Sequence, residues 1–215
     1  TTGRYDVGQL PPGAALNFGG GGAGDLSNFD VFISDEPEQA FTAAESAALM
    51  QFAQAGGGLF FVADHAGARR CSTCVEAWRV INEFLQSSGA WGVRCDGNNI
   101  AQNGLTGSPT ASPTATYFAL GPFGGAAALS FHSGTSVSVT GTNVTAAVVV
   151  NSTAGGMMAS SSLPSGGRLV LLGDSSPADD GTCTGCSARL YDGWGEVDNA
   201  RFILNASAWV AHDGS

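Results

Sequence analysis

The sequence predicts an α/β fold, a parallel central sheet flanked by helices with a β-rich insertion. Three observations predict it. Three unbroken apolar runs, FDVFIS (29–34), LFFVA (59–63) and RLVLLGD (168–174), read as buried strands. Helix-period segments follow each of them. Between them, 117–160 switches to period two with many β-branched residues.

The elements can be justified in order. Residues 1–29 are rich in glycine and proline, with YDVGQL as a short strand candidate. FDVFIS stops at Asp35-Glu36-Pro37, where proline breaks the run. TAAESAALMQFAQAG follows. Thr42 and Glu45 are spaced as a capping box, and Gly56 suits the position after the helix. LFFVA then ends abruptly at Asp64-His65. In VEAWRVINEFLQSSG, Val75, Trp78, Ile81 and Phe84/Leu85 form one apolar stripe, and Gly89 can end it. Residues 96–116 read as loop. ATYFAL, ALSFHSGTSVSVT and NVTAAVVVNST read as antiparallel strands of an insert at about 115–160. LPSGG is a turn before RLVLLGD, and VDNARFILNASAWVAH is a last helix. The 215 residues suit one domain, 1–215.

Hydrophobic residues make up 43% of the chain, enough for a core. Formal charge is −10, and all eight basic residues are arginine. A surface without a basic stripe argues against nucleic acid as a partner. It also argues against an anionic membrane, and no apolar run is long enough to span one. The expected partner is a small-molecule or polymer substrate. No leader is visible, so the sequence reads as a secreted or periplasmic protein whose signal peptide has been removed. Composition leaves the oligomeric state open.

Asp35-Glu36, Asp64-His65 and Asp174-Ser175 each stand directly after an apolar run. If those strands are parallel, all three pairs lie on one edge, where open α/β sheets bind their ligands. The bland alternative is that polar residues begin where strands end and cap the next turn.

The stretch FDVFISDEPEQAFTAAESAALMQFAQAGGGLFFVADHAG resembles the core of class I glutamine amidotransferase-like domains, which are flavodoxin-like. It is most similar to the trehalose-utilisation-like, secreted branch. The tail GDSSPADDGT…LYDGW…NARFILNASAWVA is similar to that branch's closing strand, acidic loop and final helix. The resemblance covers roughly residues 25–95 and 165–212. It implies the fold more strongly than any reaction. A glutaminase carries a nucleophilic cysteine where Asp64-His65 stands, and a histidine–glutamate pair where Asp174-Ser175 stands, so the thiol route to glutamine hydrolysis is not expected. Such domains also open with an apolar first strand. Here YDVGQL stands in for it, or that strand lies outside the chain.

Three functions remain in view. The first is a metal-assisted hydrolase of ester or phosphoester bonds. Asp64, His65, Asp174 and Asp35 would hold a divalent cation, zinc or calcium, with Glu36 as general base. Arg70 and His132 would meet the substrate. The second is a metal-independent serine esterase, with Ser175 as nucleophile and His65 as base. Its GDS string is similar to that of GDSL esterases but lies late in the chain, with no D-x-x-H after it. The third is a binding module on the same fold.

The five cysteines are Cys71, Cys74, Cys95, Cys183 and Cys186. The first reading is disulfides, Cys183 with Cys186 and Cys95 with Cys71 or Cys74, and one thiol left over. A tetrathiolate zinc site is the second, although its two C-x-x-C pairs stand more than 100 residues apart, and reduced loop thiols are the third.

Overall fold

The computed structural model describes residues 5–11, 13–100, 104–141, 143–182 and 191–213. Among them the elements run β1 (Val31–Asp35), α1 (Ala43–Gln54), β2 (Gly58–Val62), α2 (Ala77–Ser88) and β3 (Val93–Cys95). Next come β4 (Leu105–Pro109), α3 (Pro113–Leu120), β5 (Leu129–Phe131), β6 (Val137–Val139) and β7 (Ala147–Ser152). β8 (Gly155–Ser162), β9 (Arg168–Leu172) and α4 (Asn199–Val210) complete the order.

The three apolar runs are parallel neighbours. β1 pairs with β2, and β2 with β9, in a register that places Ile33 beside Phe60 and Phe60 beside Val170. The expected fold class is nevertheless wrong. The nine strands form one mixed, curled sheet, a half-barrel ordered β1-β2-β9-β8-β7-β4-β5, with β3 and β6 branching from β8. Every pairing beyond β9 is antiparallel. The fold is β-rich, not a parallel sheet flanked by helices with an insertion.

The reason is the turn before β9. Only residues 163–167 separate β8 from β9. A parallel pairing needs a crossover of a dozen residues or more, so β8 must return as a hairpin, and Ser160 lies opposite Val170. The strands expected to form an insert are therefore part of the main sheet.

Two further expectations fail locally. ATYFAL is helix α3, not a strand. Ser112 caps it by accepting from Ala115 N, and Pro113 at its first turn has no N–H to leave unpaired. The 96–116 loop contains β4. YDVGQL carries no strand. The helix termini agree with the sequence signals. Thr42 and Glu45 form a reciprocal capping box on α1, and Gly89 ends α2 in the left-handed region at φ 61°.

β2 is buried along its whole length, and alternate residues serve opposite faces. Leu59 and Phe61 join Leu49, Phe52, Phe84 and Trp91 on one side. Phe60 and Val62 join Phe118, Phe131, Met158, Phe202 and Trp209 on the other. Two glycines let chain segments meet at the end of β9. A Cβ on Gly173 would lie 2.1 Å from Thr135 O, and one on Gly134 would lie 2.7 Å from Asp174 Cβ. The 132–135 segment thereby closes over Asp174.

Candidate functional site

The carboxyl ends of β1, β2 and β9 enclose a cavity of about 270 Å³, walled by Glu36, Glu38, Asp64, His65, Arg70 and Ser175, among others. Asp64 and His65 enter it because β2 stops at Val62 and Ala63 N still donates to Leu172 O. The chain leaves the sheet at the next residue. Asp64 Oδ1 accepts from both its neighbour's backbone N, at 2.6 Å, and His65 Nδ1, at 2.7 Å. Burial pushes Asp64 up to about 6 and the nearby Glu36 charge adds to this, while the His65 hydrogen bonds oppose it.

Glu36 follows β1 with φ 40°, a conformation rare for a side-chain-bearing residue. Its N–H donates to Val62 O, and its carboxylate forms an ion pair with Arg70. Glu38 Oε1 accepts from Arg70 N at 2.5 Å. The expected base and the expected anion binder are thus engaged with each other. Asp35 lies on the wall of a second cavity of about 470 Å³, with Asp179, Asp180 and Trp194. The desolvating surroundings of its carboxyl group and the charges of Glu36 and Asp179 push Asp35 up to about 7, against the pull of Arg70, although the residue as a whole is exposed at the end of β1.

Asp174 is elsewhere. It is 1% exposed, Oδ1 accepts from Ser176 N at 2.9 Å, and Oδ2 accepts from His132 N at 2.6 Å. Burial raises its pKa against those hydrogen bonds. Its role in the fold is to pin the 132–135 segment to the end of β9. Among the described residues no three of His, Cys, Asp or Glu are placed to hold one metal ion. Asp64, His65, Asp174 and Asp35 are thus not brought together as such a group.

Sequence reading missed a second histidine–carboxylate pair. His132 Nε2 lies 2.6 Å from Glu196 Oε2, and Tyr191 stacks on the imidazole with ring centroids 3.6 Å apart. Tyr191 OH donates to Glu196 Oε1 and Ser130 Oγ to Glu196 Oε2. Burial works against the charge on Glu196, but the hydrogen bonds from His132, Tyr191 and Ser130 hold its pKa below the usual value. Tyr191 and Ser133 line the first cavity, so this pair stands behind its wall. The separation of 64 positions between His132 and Glu196 leaves no local signal for the pairing.

Cys71 and Cys74 are bonded to each other. This corrects the expected Cys95 pairing. Cys95 is free and buried on β3, where it faces the α2 side of the core. Cys183 and Cys186 lie outside the described residues.

No protein-family profile matches the chain, and no curated protein matches it. Solved structures do. The N-terminal domain of mmIFT52 superposes with TM-score 0.61 at 17% identity, covering 86% of this chain and 79% of that one. A cytoplasmic protein from Salmonella typhimurium LT2 gives 0.52 at 13% identity, covering 87% and 72%. The chain shares a fold with these proteins. A putative ThuA-like protein from Bacteroides uniformis also matches, at 13% identity over 86% of this chain and 70% of that one. Its TM-score of 0.46 is too low to carry the family resemblance further. Identities this low concern architecture and leave the chemistry to the site.

Proposed function

We propose that the cavity at the carboxyl ends of β1, β2 and β9 is the active site of a hydrolase acting on ester bonds. The observation that carries this reading is the Asp64 Oδ1 to His65 Nδ1 hydrogen bond of 2.7 Å, inside a cavity that Ser175 also lines. A carboxylate on Nδ1 selects the tautomer whose Nε2 lone pair faces outward, as a general base requires. His65 Nε2 takes the proton of Ser175 as Oγ attacks the ester carbonyl. The tetrahedral intermediate collapses, and His65 returns the proton to the departing alkoxide. Water, deprotonated by the same imidazole, then releases the acyl group and restores Ser175. The cavity suits a small acyl group. The disulfide and the acidic surface support a protein exported to an oxidising compartment.

The test is a panel of chromogenic esters and phosphoesters, assayed with and without chelator, together with a fluorophosphonate label. Ester turnover that survives chelation, with the label on the Ser175 peptide, is expected. Activity that is lost to the chelator would replace this route with metal-assisted chemistry. No turnover of any substrate and no label would leave a binding module on the same fold.

A further inference from the structure

The loop from β2 to α2 carries a group that the proposed chemistry does not use. The Cys71–Cys74 disulfide spans two intervening residues. So small a ring constrains the unfolded chain little, and its contribution to stability is correspondingly small. The loop is held without it. Gly67 N donates to Glu76 Oε1 at 2.6 Å, Ala66 N to Asn98 O and Val75 N to Glu38 O.

The two sulfurs are in different settings. Cys71 is exposed and Cys74 is half-buried. Arg69 and Arg70 directly precede Cys71, and Thr73 Oγ1 lies 3.4 Å from its Sγ. Arg69, close by in the chain, and the Thr73 hydroxyl favour a thiolate at that position, while Arg70 keeps its guanidinium on Glu36. Cys95 is the opposite case, because burial pushes its thiol pKa up.

We propose that Cys71–Cys74 is a thiol–disulfide exchange site that accepts electrons from dithiols. A thiolate of the dithiol attacks Cys71 Sγ. The Cys71–Cys74 bond breaks, and Cys74 leaves as a thiolate and takes up a proton. The dithiol's second thiolate then attacks its own sulfur in the mixed disulfide and releases Cys71. The dithiol ends as a disulfide and the pair ends as two thiols, a balanced transfer of two electrons and two protons. This inference is independent of the hydrolytic reading.

The native protein should be titrated with dithiothreitol, quenched by alkylation and mapped by peptide mass spectrometry, which separates this pair from Cys183, Cys186 and Cys95. The expected result is alkylation of Cys71 and Cys74 in the folded protein while Cys95 stays unmodified. In Cys74→Ser, the Cys71 thiol should react with glutathione disulfide about tenfold faster than Cys74 does in Cys71→Ser. Adding Arg69→Ala to Cys74→Ser should slow that reaction. A pair that opens only under denaturant, a Cys74 as reactive as Cys71, or a rate indifferent to Arg69 would overturn the proposal.

Discussion

The parallel third of the sheet and its antiparallel remainder each contain buried strands and partly exposed ones, but they differ in what their ends carry. β2, β9 and most of β8 are buried. Because β1, β2 and β9 run the same way, Asp35-Glu36, Asp64-His65 and Asp174-Ser175 all leave the sheet at one end. The antiparallel strands send successive ends to opposite edges. Their polar side chains become staples there: Asn143 Nδ2 donates to Ala90 O and to Ser161 Oγ, and Ser136 and Ser138 hydroxyls donate to Asp96. Common strand direction, more than burial, gathers reactive groups.

The sharpest way to break this comparison is His65→Ala. Loss of the general base should lower ester hydrolysis by about 10²–10⁴-fold. The side chain is half-exposed and outside both apolar clusters, so the melting temperature should barely move. Circular dichroism melts beside the rate assay check both parts. A variant that kept its activity would refute the site, and one that unfolded would make His65 a structural residue.

The antiparallel side should behave in the opposite way. Met158 on β8 is fully buried opposite Leu172. Met158→Ala should cost about 2–5 kcal/mol of stability, read by urea denaturation, while kcat/KM per folded molecule stays unchanged. A fall in kcat/KM with the protein still folded would mean that the two regions are coupled, not merely adjacent.

The same contrast decides what could be read from sequence. β2 and β9 were legible because strands buried on both faces appear as unbroken apolar runs, and β1 was legible as an apolar run although it is the edge strand, with Ile33 exposed. The capping box at Thr42 and Glu45 was legible because its partners are three residues apart. The sheet's overall pattern was not, because strand pairing is a long-range choice; the short 163–167 turn was the available clue. α3 was misread because Tyr117 and Phe118 suit strands, whereas the deciding signals were Ser112 and Pro113 just before them. Asp64, His65, Glu36 and Ser175, singled out by their positions directly after strands, and Arg70, singled out just beyond His65, all line one cavity. Asp174 follows the same rule and still turns away, because two backbone N–H groups take its oxygens. Glu38, Tyr191 and Glu196 follow no strand and were missed.

A smaller loss should come from Asn82→Ala. Asn82 is buried on α2 and forms two hydrogen bonds to Cys95, accepting from its N and donating to its O, both at 2.9 Å. Truncation leaves that backbone unpaired away from water and should cost about 1–3 kcal/mol. β3 joins the antiparallel side through β6, so stability should fall without a change in the rate assay. An equal loss of activity would again link the two regions.

The smallest expected effect is a pH dependence, and its sign follows from the crowded acids at the parallel end. Asp35 is pushed up to about 7 and Asp64 up to about 6, and Asp174 is also raised. In the unfolded chain an aspartate titrates near ~3.9. Between that value and 7 the folded state therefore binds more protons than the unfolded state, so stability falls as pH rises through this window. Glu45, Glu76, Glu196 and Asp198 are lowered instead. The stability they contribute is present above their unfolded pKa and is lost as pH falls through their folded pKa. The opposing groups leave a shallow maximum on the acidic side of neutral, and calorimetry should find a higher melting temperature near pH 5 than near pH 7.5. Asp35→Asn, which cannot ionise, should flatten the alkaline limb and raise the melting temperature at pH 7.5. Activity should run the other way, because Asp64 must be ionised to orient His65 and hydrolysis should fall as pH drops through about 6. A melting temperature that climbed steadily from pH 5 to pH 7.5 would mean that these acids are not crowded as described, and the parallel end would lose the electrostatic feature that sets it apart.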